Sequence, residues 1–206
     1  MVVCDVDDSL HAAAVMGVAL GLARRLDLGL RVVHNIPSDA LANRPERDAA
    51  LQRAEQLLDA LIPYDDGRID RVFEIGDPLD PLLAAVDDGA DLLVVGSRGR
   101  WRAIAAAAAC PVVVVPPDAT ASIPRDPAVV CGIEVSPAGD AALARTARLA
   151  RALGARFVPA RGHEPAQLVS AAIQEHAALL AVGGAGRGSV TTRLVEDSPI
   201  PVVICR

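Results

Sequence analysis

Two short polar clusters follow apolar runs in this sequence, and their residue types could contact a ligand. Asp7–Ser9 comes directly after the run Val2–Val6, and Gly96–Gly99 comes directly after Leu92–Val95. A carboxylate accepts hydrogen bonds, and glycine lets backbone amides approach a phosphate at a helix start. The same residues also suit an acid at a helix N-terminus and a tight turn without a ligand. Both interpretations stay open.

These clusters need strands and helices to position them. Short apolar runs predict strands, and longer Ala- and Leu-rich stretches predict helices. In chain order the predicted elements are strand Val2–Val6, helix Ala12–Leu26, strand Leu30–His34, helix Glu46–Leu61, strand Ile69–Ile75, helix Pro78–Asp87, strand Leu92–Val95 and strand Val112–Val115. Strands that alternate with helices predict a parallel, doubly wound α/β sheet.

The pattern then starts again, which indicates an internal repeat. Val129–Ser136 matches Val2–Ser9 at a spacing of 127 residues, and Leu179–Gly183 matches Leu92–Gly96 at a spacing of 87. The shorter spacing leaves about 40 residues out of the second copy, which removes its third strand and the preceding helix. Such a loss is tolerable if the third strand lies at a sheet edge, because removing a central strand would split the core.

The segment between the copies is rich in Pro, Ser and Thr, which is typical of a linker. We therefore predict a first domain over residues 1–117, a linker over 118–126 and a truncated second domain over 127–206. The two domains are expected to form similar open sheets of five and four strands.

Composition excludes several classes of function. A formal net charge of −6 and a pI near 5.2 argue against a nucleic-acid partner, because nucleic-acid affinity rests on clustered positive charge. All 20 basic residues are Arg, so the lysines of P-loops and Schiff bases are absent. The four cysteines form no Cys-x-x-Cys pair, so no metal site is predicted.

The N-terminus lacks the charged and apolar regions of a secretory signal, and no apolar run approaches the roughly 20 residues that span a bilayer. We therefore expect a cytoplasmic protein without a membrane partner.

Four sequence blocks together resemble universal stress proteins. In chain order they are Val6-Asp7-Asp8-Ser9, Gly76-Asp77-Pro78, Val95-Gly96-Ser97-Arg98-Gly99-Arg100 and Cys110-Pro111 to Val115. The resemblance covers both copies. It implies a flavodoxin-like (Rossmann-like) parallel sheet in each, a regulatory role in stress response without catalysis, and dimerisation through the last strand. It also implies ATP or AMP as a possible ligand, as in many members.

The resemblance implies a nucleotide site where the first and fourth strands separate, a topological switch point. The implied binding residues are Asp7, Ser9, Gly96, Ser97 and Gly99 in the first copy, and Glu134, Ser136, Gly183, Gly186, Gly188 and Ser189 in the second. No catalytic residue is predicted, and no cofactor is required.

Each copy departs from the pattern of the ATP-binding members, in which a second Gly-Ser or Gly-Thr follows the first glycines after about nine residues. The first copy has no such pair before Cys110, and in the second only Arg187 separates Gly186 from Gly188. We therefore expect weak binding, carried by the first copy, with little difference between ATP and AMP.

The arginines after the first glycines are predicted to lie in a solvated loop, with contact to phosphates as the alternative. Arg98, Arg100 and Arg102 are the residues concerned, and Trp101 between them is expected to pack across a dimer interface.

Two other functions compete with nucleotide binding. Asp5 and Asp7 also resemble the nucleophile and general acid of haloacid-dehalogenase-like phosphatases, with Asp77 and Asp80 as possible metal ligands. Gly132 stands at the place of Asp5 in the second copy, which weakens that hypothesis. The other alternative is a pseudo-dimeric interaction scaffold that binds no nucleotide.

The last strand of each copy is an apolar edge strand, and such an edge invites pairing with another strand. We predict that Val112–Val115 pairs with Val202–Cys205, which forms an internal pseudo-dimer; a homodimer through the same strands is the alternative.

Overall fold

The computed structural model describes residues 1–36, 38, 43–62, 64–65, 67–77, 79–119, 122–133, 137–162, 164–183 and 189–205. Within these residues it contains nine strands and seven helices. In chain order they are β1 (Val2–Val6), α1 (Ala12–Leu26), β2 (Leu30–Ile36), α2 (Arg44–Leu61), β3 (Ile69–Ile75), α3 (Leu79–Asp87), β4 (Leu92–Gly96), α4 (Trp101–Ala107), β5 (Val112–Val115), β6 (Ala128–Ile133), α5 (Pro137–Ala152), β7 (Arg156–Arg161), α6 (Pro165–Gln174), β8 (Ala177–Gly183), α7 (Ser189–Asp197) and β9 (Val202–Cys205).

The strands form one sheet with the order β3-β2-β1-β4-β5-β9-β8-β6-β7. Strands β1 to β5 pair in parallel, and so do β6 to β9. The two groups meet at β5 and β9, which pair antiparallel with Val113 opposite Val203. We call β1–β5 with their helices the N-terminal half, and β6–β9 with theirs the C-terminal half.

The flavodoxin-like α/β architecture predicted from the sequence is confirmed, and so is the pairing of the last strands. The expected groups of five and four strands are joined by the β5–β9 pairing into one continuous sheet. Strand β3 lies at an edge, as the sequence predicted. In the C-terminal half β7 takes the corresponding edge position beside β6.

Successive side chains of each strand point to opposite faces of the sheet, so the apolar strands form two hydrophobic cores, one on each face. Helices α1, α2 and α5 pack on one face, where Cys4, Val113 and Val203 are buried. Helices α3, α4, α6 and α7 pack on the other face. The sheet is therefore covered on both sides, as is typical of parallel sheets.

Helix α4 is the element of the N-terminal half that the sequence analysis did not predict. Arg102 lies in its first turn, so the expectation of a loop is wrong for this arginine, although its side chain is exposed. Arg100 precedes the helix as its N-cap residue and is also exposed. Trp101 is 2% exposed and packs in the core with Ile104 of the same helix, rather than across an interface with another chain. The alanine-rich sequence lacks the alternation of polar and apolar residues that would have marked this helix.

In the part of the chain described above, no helix is long and apolar enough to cross a membrane.

Candidate functional site

A small cleft lies at the carboxyl ends of β1 and β4. Strand β1 is bonded to β2 on one side and to β4 on the other, so the chain order reverses here. Open α/β sheets bind ligands at such a switch point. The cleft is lined by Asp5, Asp7, Ser9, His11, Val15, Gly96, Arg98 and Gly99.

Asp7 and Ser9 form a bonded turn at the entrance to helix α1. The Ser9 amide donates to Asp7 Oδ1 at 3.1 Å, and the Ser9 hydroxyl donates to the same oxygen. Ser9 Oγ in turn accepts the His11 amide at 3.2 Å. The Oδ1 oxygen of Asp7 is therefore engaged in local structure, whereas Oδ2 takes no part in the turn.

The glycines of the second cluster are not required by backbone conformation. Neither Gly96 nor Gly99 is among the residues with positive φ. A Cβ at Gly99 would meet only the Gly96 carbonyl oxygen, at 4.0 Å, and a Cβ at Gly96 would make an ordinary 3.5 Å contact with Val15. The tight-turn explanation for these glycines therefore loses its physical basis.

Ser97 contributes less than the sequence predicted. Its amide donates to the Val115 carbonyl oxygen at 3.0 Å, which extends the β4–β5 pairing by one residue. That amide is therefore not available to a phosphate, and Ser97 is not among the residues that line the cleft.

Of the three arginines near the cleft, two are held by acidic partners. Arg100 pairs with Asp77, and Arg102 pairs with Glu196 at 3.1 Å while stacking 4.7 Å from the Trp101 ring centre. Arg98 is exposed and lines the cleft. It is the arginine of the three that is placed to meet an anion there.

Two acidic side chains near the cleft have pKa values that are shifted in opposite directions. Burial, with the Asp7 carboxylate nearby, raises the pKa of Asp5 to about 6. The hydrogen bond from Arg100 lowers the pKa of Asp77, whose Oδ1 also accepts the Leu79 amide at the start of α3. Asp77 therefore stays ionised and fixes Arg100, whereas Asp5 changes charge in mildly acidic solution.

Histidines that the sequence left without a role lie at this end of the sheet. His11 is 9% exposed, and its Nε2 is buried without a hydrogen-bond partner. His34 is 2% exposed, its Nε2 lies 3.6 Å from Asp8 Oδ1, and its Nδ1 is unpaired. His11 is thus a cleft residue that the sequence analysis missed, and Asp5, which it considered only as a phosphatase nucleophile, lines the same cleft. Their spacing in a short acidic segment was the available signal.

The free volume of the cleft is about 20 Å³, which holds little more than one water molecule. A nucleotide therefore needs either a displacement of the side chains around this point or an adenosine position outside it.

The predicted site of the C-terminal half lies mostly outside the described residues. Glu134, Ser136, Gly186 and Gly188 are not described, and of Ser189 only the backbone is, as the first residue of α7. Gly183 ends β8 beside Cys205 of β9. At the place of Asp5 stands Gly132, where a Cβ would lie 3.0 Å from Leu168 Cδ1.

The cysteines are free thiols, and burial raises the pKa of each. Among the residues described, no group of three His, Cys, Asp or Glu side chains could hold a metal ion.

Comparison with known proteins shows the fold. No protein-family model matches the sequence, and no curated protein matches it either. A universal stress protein from Archaeoglobus fulgidus DSM 4304 superposes with a TM-score of 0.74 at 17% identity, over 100% of this chain and 95% of that one. A protein of unknown function from Pseudomonas aeruginosa PAO1 gives a TM-score of 0.62 at 11% identity, over 98% and 91%.

Proposed function

We propose that this chain, which has the fold of universal stress proteins, is a non-catalytic regulatory protein of the stress response that binds an adenine nucleotide weakly. It is proposed to act in the cytoplasm. One observation carries the nucleotide proposal: Asp7, Gly96 and Gly99, which come from distant parts of the sequence, line one cleft at the switch point of the sheet.

In this proposal, the ligand is ATP or AMP, and the N-terminal half carries it. Asp7 Oδ2 accepts from the adenosine, the Gly96 and Gly99 backbone comes close to the phosphate side, and Arg98 supplies positive charge. The engaged Ser97 amide and the two paired arginines leave few donors for a phosphate chain. The adenosine then contributes most of the binding, and ATP and AMP bind alike.

We also propose that the chain is a tandem repeat with its domains at 1–117 and 127–206, the second truncated. In support, the strand order β9-β8-β6-β7 repeats the order β5-β4-β1-β2 in the other half. The second nucleotide site, with Glu134, Ser136, Gly183, Gly186, Gly188 and Ser189, is part of this proposal and binds more weakly than the first.

Nucleotide content is tested directly on the purified protein. The protein is denatured, and the supernatant is examined by absorbance and mass spectrometry for AMP and ATP. Because the proposed binding is weak, the protein is also titrated with AMP and ATP, and we expect heat on titration of the wild type and a large loss of that heat in Gly99→Val. The Gly99 site is open, so this substitution leaves the free energy of unfolding within about 0.5 kcal/mol of wild type. Absence of nucleotide together with no heat on titration would contradict the proposal.

The cleft volume supports a second candidate, the interaction scaffold without nucleotide. A free volume of about 20 Å³ excludes a nucleotide unless side chains move. In that case titration with ATP or AMP gives no heat, and Gly99→Val changes nothing that can be measured.

The phosphatase alternative is tested with an aryl phosphate and Mg²⁺. We expect no turnover above that of Asp5→Asn, because Asp77, which that mechanism needs for the metal, pairs with Arg100 and caps α3. Turnover that disappears in Asp5→Asn would establish the phosphatase instead.

A further inference from the structure

The C-terminal end of α1 and the C-terminal half of α5 border an open groove on one face of the sheet. Its volume is about 520 Å³, within the range of small-molecule sites. We call it the inter-half groove. It is lined by Leu26, Leu28, Asp91, Leu92, Ala109, Pro111, Arg145, Arg148, Leu149 and Ala152.

The matching position on the other side of the β5–β9 seam is filled by the chain itself. Ile123 packs against Gly21 of α1. A Cβ on Gly21 would lie 3.0 Å from Cγ1 of Ile123. Arg25 donates to the carbonyl oxygens of Pro124 and Arg125, and reaches the Leu153 carbonyl oxygen at 3.5 Å. The aliphatic side chain of Ile123 therefore occupies that position, and the Arg25 guanidinium binds the carbonyl oxygens of the two residues that follow it.

The open groove is formed by the corresponding stretches of α1 and α5, with different residue types and no occupant from the described chain. At the repeat spacing of 127 residues, Gly21 corresponds to Arg148 and Arg25 to Ala152, while Leu26 corresponds to Leu153. Arg148, Ala152 and Leu26 all line the groove. Two equivalent places on this face of the sheet therefore differ: Ile123 fills one, and the other is the open groove.

The inter-half groove has an apolar floor and positively charged residues at its rim. Leu26, Leu28 and Leu149 are partly buried against the core. Arg145 and Arg148 are exposed, and no ion pair within the described residues joins either to an acid. Asp91, the one acidic residue among those lining the groove, pairs with the amino group of Met1.

We propose that the inter-half groove binds a small amphiphilic carboxylate. The aliphatic body lies on Leu26, Leu28 and Leu149, which line the groove and are partly buried. The carboxylate receives hydrogen bonds from Arg145 and Arg148, and a charge-assisted pair of this kind is stronger than a neutral one. This site is separate from the nucleotide cleft, because the groove lies at the amino ends of β4 and β5 and the cleft at the carboxyl ends of β1 and β4.

Decanoate is the probe for this proposal, with calorimetry on the whole chain. We expect one decanoate per chain, and at least a tenfold higher Kd in Arg148→Glu. The matched control is Arg151→Glu, which makes the same charge change at an exposed position of α5 outside the lining and is expected to bind as wild type does. Decyltrimethylammonium, with the same chain and the opposite charge, is expected not to bind.

Several results would overturn the proposal: no decanoate binding, equal loss in Arg148→Glu and Arg151→Glu, or equal binding of the cationic analogue. Self-association that Arg148→Glu abolishes would show instead that a second copy of the chain covers this groove. Decanoate binding that is unchanged in Asp7→Ala keeps this test separate from the nucleotide proposal.

Discussion

The ends of β1 and β6 hold equivalent places in the two halves, and their surroundings differ in polarity. At the end of β1, Asp5 lies in a polar cleft with His11 and Arg98. At the end of β6, Gly132 lies against Leu168 and Val182. The fold of the two halves is similar, but an acid is accommodated in one and apolar packing in the other. The two halves therefore share the order of their strands but not the residues at the ends of those strands. Substitutions at the shared seam and at the differing positions test each part.

The largest effect is expected where the halves join. Val113 and Val203 are both fully buried and face each other in the β5–β9 pairing. Asp at both positions places two like charges in the core, where each unpaired charge costs several kcal/mol. We expect the double variant to lose most of its stability in urea unfolding and to expand in sedimentation. The control is Val190→Asp, at a 37% exposed position.

Unchanged stability and unchanged sedimentation in the double variant would show that the seam does not hold the halves together.

A smaller effect is expected when the acid of the N-terminal half is placed in the C-terminal half. Gly132→Asp brings a carboxylate against Leu168 Cδ1, with no positive partner among its three nearest atoms. We expect a loss of about 2–3 kcal/mol in the free energy of unfolding at pH 7. Gly132→Ala tests the steric part alone and is expected to cost less. Equal costs for the two variants would show that packing, not charge, separates the halves here.

A pH-dependent effect is expected at Asp5. Its pKa is raised in the folded state to about 6, from a usual value of 3.8. The folded protein therefore binds the proton more tightly, so this group destabilises the fold as pH rises from about 4 to about 6. Asp5→Asn removes that cost. We expect the variant to gain about 3 kcal/mol over wild type at pH 7.5, and the gain to shrink to about 0.5 kcal/mol at pH 4.

Urea unfolding of both proteins across this pH range measures the difference. A gain that is the same at pH 4 and pH 7.5 would contradict the raised pKa.

The sequence predicted most of the elements because their signals are local. Helix α1 and strands β3 and β5 have the predicted bounds, since each is a continuous periodic or apolar run between polar residues. The position of β3 at an edge followed from the missing segment of the second copy. Helix α4 was missed because alanines give no polar–apolar alternation.

The site was harder to predict because it depends on contacts between distant residues. Arg100 meets Asp77 across 23 positions, and Arg102 meets Glu196 across 94. Because these two arginines are paired with acids, they are not free to bind a phosphate. The sequence around them does not reveal this pairing. The burial of His11 and the engaged Ser97 amide likewise follow from packing and strand pairing rather than from residue type.

The central claim is that the N-terminal half carries the nucleotide site, and calorimetric titration with ATP and AMP tests it most directly. The proteins are wild type, Asp7→Ala and Ser189→Ala, each checked first for an unchanged unfolding midpoint. We expect weak binding with similar Kd values for ATP and AMP, lost in Asp7→Ala and kept in Ser189→Ala. Tight ATP binding with a strong preference over AMP, unchanged in Asp7→Ala and lost in Ser189→Ala, would contradict it.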